Sequence, residues 1–446
     1  MNKALAVLLF ALVLAAPLDV APQTAPDLRS MVDQDFTAFD PHYRDERQRR
    51  IGEALKLGRE VVAAEANGVN NACSHQILFE IEALLTTTAH FNEIDARLAD
   101  LRRSLVSPRP DHPDATGLWG ACYKAWDLKL YATFDRLEGA ASDNSPPRPL
   151  PAFLAPVGTP SKLRARLDAL ATSDVRTTGV DHEREFNETA TLMQMLVRGR
   201  PENYQVSPSL RQALLERVAA YQDPQTGYWG ERYRRNGANV YADDLSITFH
   251  IVSYLRGEVP RMTQLLDTLL RTRDADYPEG WLMFGQYWNH NDMDVVTLFR
   301  YGWPTASPAQ RAQMSGEIQK MLDWCLAQSL QPDGSFKVNV ADGSVEDAEY
   351  YGASFLDRIG FFDPSKRFWT DQDFPQAAEV RTRILDFARR HAASGPTGDH
   401  YQSTIKAVGC PPNNVPSGRD FGRPPAQRVR EQLRVLAVHR VVHLRE

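Results

Sequence analysis

Apolar residues recur along this chain at helical spacing, in pairs of segments joined by glycine-aromatic turns. In LRQALLERVAAYQ, Leu210, Leu214, Leu215 and Val218 share one helical face. The turn TGYWG, Thr226 to Gly230, follows, and ADDLSITFHIVSYLRG then supplies a second helix-length segment. TGLWG, Thr116 to Gly120, is framed in the same way by IDARLADLRRSL and YKAWDLKLYATFDRLEG. Further copies run from QLLDTLLRTRDADYPEGW to NHNDMDVVTLFRYG and from IQKMLDWCLAQSLQPDGSF to VEDAEYYGASFLDRIG. Two weaker ones surround Gly68 and Val180, and AAEVRTRILDFARRHAASG opens a possible seventh.

With Gly68, Trp119, Val180, Trp229, Trp281 and Phe336 as markers, the steps are roughly 50 to 60 residues. That period predicts stacked helical hairpins, each burying its apolar face against its neighbours. At each junction Gly allows the positive φ that ends one helix, and the following aromatic packs back under the turn. The tryptophans are expected to be structural.

Gln222-Asp223-Pro224 with Gly227-Tyr228-Trp229, and Gln331-Pro332-Asp333-Gly334-Ser335-Phe336, resemble the Gln-Trp repeat turns of the terpenoid cyclase and prenyltransferase superfamily. The resemblance implies an all-α fold, an (α/α) toroid of six to seven hairpins with inner and outer rings of helices. Polysaccharide lyases and several glycoside hydrolases use similar toroids. A cyclase of the acid-initiated class needs a D-x-D-D motif, and Tyr241-Ala242-Asp243-Asp244 and Asp292-Met293-Asp294-Val295 both fall short of it. No zinc set of the prenyltransferase kind can be assembled.

Outside the repeats, MNKALAVLLFALVLAAPLDV has the layout of a secretory signal peptide, placed at 1–25. Its apolar run, Ala4 to Ala16, is shorter than the roughly 20 residues of a membrane span. The expectation is a secreted or periplasmic protein with no stable membrane insertion after signal cleavage. The toroid is placed at 26–410, followed by a Pro-rich linker and an amphipathic helix at 411–446. Within the repeats, SDNSPPRPLPAFLAPVGTPS reads as a surface excursion. The net charge of −6, with no basic stripe in the main body, argues against nucleic acid as a partner. Of the four cysteines, Cys73 and Cys122 follow successive turns and are the first choice for a disulfide. No cysteine or histidine spacing suggests a metal, and no cofactor is expected.

In such a toroid the second helix of each hairpin is the inner one, and the residues after each turn face the cavity mouth. These positions hold Tyr241, Asp243, Asp244 and His250, then Trp288, Asn289, His290, Asp292 and Asp294 with Arg300 further along, then Tyr351. Rings among carboxylates and amides suit a sugar, whose apolar faces stack while its hydroxyls hydrogen-bond. Any one of these carboxylates taken alone is better explained as a helix cap, but capping does not account for the His and Tyr clustered beside them.

The expected activity is hydrolysis of a neutral or cationic glycan. Asp243, Asp244, Asp292 and Asp294 are the acid/base candidates, with His250 and His290 as polar partners. Tyr241, Trp288, Asn289, Arg300 and Tyr351 are the substrate contacts. The alternatives are a uronate lyase using His290, Asn289, Tyr241 and Arg300, and a non-catalytic scaffold binding a glycan or peptide.

Overall fold

The structure is a computed structural model. It describes residues 28–66, 94–106, 112–123, 126–130, 132–133, 149–183, 185–198, 205–283, 285–338, 345–392, 401, 404–405 and 408. The signal segment, the helix expected after 68 and the amphipathic tail lie outside these residues.

The described chain is mostly helical. Its principal helices are α1 (Leu28–Phe39), α2 (Tyr43–Ala66), α3 (Ile94–Val106), α4 (Pro160–Leu170), α5 (Val175–Thr178), α6 (Glu188–Met193) and α7 (Pro208–Tyr221). They continue with α8 (Leu245–Tyr254), α9 (Met262–Arg271), α10 (Asn289–Gly302), α11 (Pro308–Trp324), α12 (Val345–Arg358) and α13 (Ala377–Ala392). From α4 onward they fall into two rows. The second helices of successive hairpins, α6, α8, α10 and α12, pack on one another in chain order. The first helices lie behind them, α4 against α7 and α9 against α11. One apolar core between the rows takes in Leu214, Leu245, Leu265, Val295, Leu322 and Leu356. Burying both rows' apolar faces against each other is what a lone hairpin cannot do.

The starts of the first helices follow local rules. Ser207 and Ser307 cap α7 and α11 with their hydroxyls, each followed by Pro at the first helical position. Gln310 completes a capping box on Ser307.

The glycine-aromatic turns repeat in three dimensions as well. Gly117, Gly179, Gly227 and Gly334 all have positive φ. At Gly227 a Cβ would lie 2.6 Å from the Leu265 backbone nitrogen, and at Gly334 it would lie 2.2 Å from the Arg383 carbonyl oxygen. Each of these turns is therefore pressed against the first helix of the next hairpin, α9 or α13. Trp229 and Trp281 are completely enclosed, and Trp229 Nε1 donates to the Val218 carbonyl at 2.7 Å.

Two features depart from the sequence reading. Between the Trp229 turn and α8 the chain forms a β-hairpin, β2 (Arg232–Arg235) and β3 (Ala238–Tyr241). Asn236 and Gly237, both at positive φ, make its turn, and β2 also pairs with β1 (Thr172–Ser173). The Pro-rich stretch is not wholly a surface excursion: Phe153, Leu154 and Val157, in a 3₁₀ helix (Ala152–Val157), are buried in the main core.

Helix α1 lies over the β-hairpin end. Its Met31, Val32 and Phe36 pack with Tyr43, Val175 and Tyr233, and Asp35 pairs with Arg176 and Arg235. Cys122 is disulfide-bonded to a partner outside the described residues, and Cys325 is free and buried. Among the described residues no helix is long and apolar enough to cross a membrane.

Candidate functional site

The β-hairpin, the residues leading into α8 and helix α1 border a narrow recess of about 20 Å³. Five carboxylates line it: Glu183, Glu231, Asp243, Asp244 and Glu279. Leu28 and Val32 of α1, with Ala242 and Pro278, form an apolar wall, and Tyr233 completes the lining.

Asp244 is placed by the turn itself. Its backbone N–H donates to the Trp229 carbonyl at 3.1 Å, and its carboxylate Oδ1 accepts from the Ile247 N–H at 2.8 Å, capping α8. Capping by itself favours the charged form and lowers a carboxyl pKa. Here burial, reinforced by the charge of Glu279, outweighs the amide hydrogen bonds and raises it to about 7. Asp243 is also raised, by burial, against a hydrogen bond from Thr226 and the charge of Arg271.

Glu231 is buried, and Ser173 Oγ donates to its Oε2 at 3.0 Å. Burial, with the charge of Asp181 next, pushes it well above the carboxylate range. Tyr233 is likewise held neutral by burial, and its hydroxyl donates to Asp181 at 3.2 Å.

A second group adjoins the recess on the row of second helices. Pro278 accepts from the Leu245 N–H at 2.8 Å, which puts the preceding Tyr277 beside α10. The Tyr277 hydroxyl donates to Asp294 Oδ2 at 3.4 Å. His290, one turn earlier on α10, has its Nε2 4.0 Å from the same oxygen, beyond hydrogen-bond length. The His290 ring centroid lies 4.3 Å from Tyr351 and 5.6 Å from Tyr277. Burial between these rings lowers the imidazole pKa to about 4, so it is neutral at pH 7. Asp294 is completely buried and raised well above the usual range by desolvation, with Arg358 opposing and Asp244 adding to the shift. The charge of Asp244 thus reaches Asp294 in the second group.

The remaining sequence candidates lie elsewhere. Asn289 is buried and donates to Ser329 Oγ at 2.7 Å, and Trp288 packs on Trp324 with centroids 5.9 Å apart. Both face the C-terminal end of α11. Asp292 is completely buried, and its charge helps burial raise the pKa of Cys325. Its own carboxyl is pushed well up by burial, opposed by the Trp288 backbone amide. Arg300 sits about 15 Å along α10 from His290, donating to the carbonyls of Arg358 and Lys366 at 2.8 and 3.0 Å. His250 turns toward α6, with Nδ1 3.1 Å from the Tyr254 hydroxyl, which also meets Gln194. Tyr241 is exposed on β3, under the Arg232 guanidinium at 5.0 Å.

No protein-family model, curated protein or solved structure matches the chain.

Sequence reasoning missed Glu231, Glu279 and Tyr277. Glu279 and Tyr277 precede the marker Trp281, whereas the inner-helix argument looked only at residues after each turn. For Glu231 the signal was Asn236-Gly237, a hairpin dipeptide that folds the segment after Trp229 back over the mouth. Among the described residues no group of three His, Cys, Asp or Glu side chains is arranged to hold a metal ion.

Proposed function

We propose that the two rows of helices belong to an (α/α) toroid, and that the protein is an exported enzyme hydrolysing a neutral or cationic glycan at the carboxylate recess. The observation that carries this reading is Asp244. It is a helix cap by position, yet its carboxyl keeps a proton near neutral pH, as a general acid for glycosidic oxygen must. Glu279, lining the same recess, is the second carboxylate, which activates water or attacks the anomeric carbon. Burial, with the charge of Glu279, sustains the Asp244 proton. Tyr351 and Tyr277 offer ring faces to a sugar bound along the inner row, with the neutral His290 between them.

One observation favours a second reading. An imidazole neutral at pH 7, flanked by two tyrosines, is the equipment of a base that removes a proton next to a carboxylate, as in eliminative cleavage of a uronate. The acidic recess opposes it, because a polyanionic chain would be repelled there.

The test is a panel of neutral, cationic and uronate polysaccharides, followed for new reducing ends and for ultraviolet absorbance of an unsaturated product. Reducing ends without absorbance, abolished in Asp244→Asn, are expected. Absorbance lost in His290→Gln would transfer the assignment to elimination. Binding without either signal would leave a non-catalytic glycan receptor.

A further inference from the structure

Asp181, two residues past the Gly179 turn that ends α5, meets Glu231, the residue before β2, and each is only 2% exposed. Their carboxyls hydrogen-bond to each other. Two carboxyl groups can do so only while one of them carries a proton, because an ionised carboxylate has nothing to donate. The bonds around the pair fix its place. Ser173 Oγ, on β1, donates to Glu231 Oε2 at 3.0 Å and accepts from the His182 N–H at 2.7 Å. Asp181 Oδ1 accepts from the Tyr233 hydroxyl at 3.2 Å and from the Glu183 N–H at 3.0 Å. One proton thus joins three segments: β1, the turn after α5 and the β-hairpin. Helix α1 depends on it at one remove, since Met31, Val32 and Phe36 pack with Tyr233.

Among the described residues the surroundings do little to ease a second charge. Glu183 adds negative charge, Tyr233 and Tyr43 stay neutral, and burial lowers the pKa of His182, which is neutral at pH 7. Asp243, Asp244 and Glu279 line the recess that Glu231 borders. Arg176 and Arg235 are paired with Asp35 of α1, Arg166 is paired with Glu188, and Arg232 donates to the Ala220 carbonyl. Loss of the shared proton therefore leaves two like charges in contact out of water.

We propose that the Asp181–Glu231 pair is a pH-operated latch: while it holds its shared proton it ties the turn after α5 to the β-hairpin, and loss of that proton loosens the hairpin and the α1 that lies on it. Burial pushes the Glu231 carboxyl well above its ordinary 4.5. The latch contribution is complete below that ordinary value and is lost as pH rises toward the elevated one, so the latch is closed in acid and opens in alkali. It does not depend on the glycan reading.

The test is hydrogen exchange of the full protein at pH 5 and pH 9, corrected for intrinsic rates and followed by mass spectrometry. Protection of α1 and the β-hairpin is expected to fall about tenfold more than that of α10 in the wild type. Glu231→Gln keeps a donor toward Asp181 and an acceptor for Ser173 but cannot ionise, and the extra fall is expected to vanish. If that variant fails to fold by circular dichroism, Asp181→Asn serves, because it also leaves a donor between the two side chains and removes one charge. No extra fall in the wild type, or an equal fall in the folded variant, overturns the latch.

Discussion

The backbone N–H of Trp229 donates to the Thr248 hydroxyl at 3.0 Å, tying the aromatic turn to the helix that follows it. The same connection recurs with other side chains: Trp119 N–H to Thr133 Oγ1 at 2.9 Å, and Phe336 N–H to Glu349 Oε1 at 2.6 Å. A residue on the second helix thus catches the turn amide in each of these hairpins. At the Trp229 turn the bond also fixes Asp244, whose amide is held by the Trp229 carbonyl.

Thr248→Val keeps the shape of the side chain and leaves the Trp229 amide buried without its acceptor. Urea unfolding is expected to show a loss of about 1–3 kcal/mol. An unchanged unfolding midpoint would mean that the bond does not hold the turn.

Gly227→Ala places a methyl group against the start of α9 at a residue with φ of 74°. A loss of about 2–4 kcal/mol is expected from the backbone strain and the overlap together. Gly237→Ala is the control: φ there is 80°, but the added carbon meets nothing within 4 Å, so only the backbone strain of about 1–2 kcal/mol remains. The difference between the two melts measures how tightly the turn is pressed on its neighbour.

Asp244→Asn separates capping from acid catalysis, because Asn caps a helix about as well as Asp. Hydrolysis is expected to fall about 10²- to 10⁴-fold while stability at pH 8 is equal to or above wild type. Asp244→Ala loses the cap as well and is expected to cost about 1 kcal/mol of stability. Retained activity in Asp244→Asn would remove Asp244 from the mechanism.

The pH dependence of stability follows from the same carboxyl. Its pKa is about 7 folded and 3.8 in an ordinary setting, so between these values the folded state holds a proton that the unfolded state has released. Stability therefore declines as pH rises from about 4 to 7, and the cost of a buried charge is complete above 7. Asp292, Asp294 and Glu231, all raised, act in the same direction, whereas His290, lowered to about 4, acts oppositely between 4 and 6.5. Subtracting the Asp244→Asn profile isolates Asp244: the wild-type curve is expected to be the steeper between pH 4 and 7. Identical slopes would show that Asp244 titrates normally.

For His290 the expected signature is spectroscopic. Its ring resonances should titrate below the ordinary 6.5, toward 4, and the midpoint should rise in Tyr351→Ala as water reaches the imidazole. A wild-type midpoint near 6.5 would mean that the aromatic walls do not desolvate it.

The sequence by itself determined the hairpin repeat, because helical periodicity and a glycine-aromatic turn are local patterns: Leu210, Leu214 and Val218 share a face, and Gly227 before Trp229 needs a positive φ wherever the chain goes next. It also brought Asp243, Asp244, Asp294, His290 and Tyr351 under suspicion, since the positions after each turn lie at the helix starts. Only the tertiary structure decided which of them meet. Side chains four residues apart on α10 share a face while adjacent ones diverge by about 100°, so His290 and Asp294 approach each other while Asn289 turns toward Ser329. Glu231 and Glu279 join Asp244 from a β-hairpin and from the segment before Trp281, distant stretches whose convergence no periodicity encodes. The raised pKa of Asp244 has the same origin: it comes from burial and from a charge 35 positions along the chain, and neither exists until the hairpins pack.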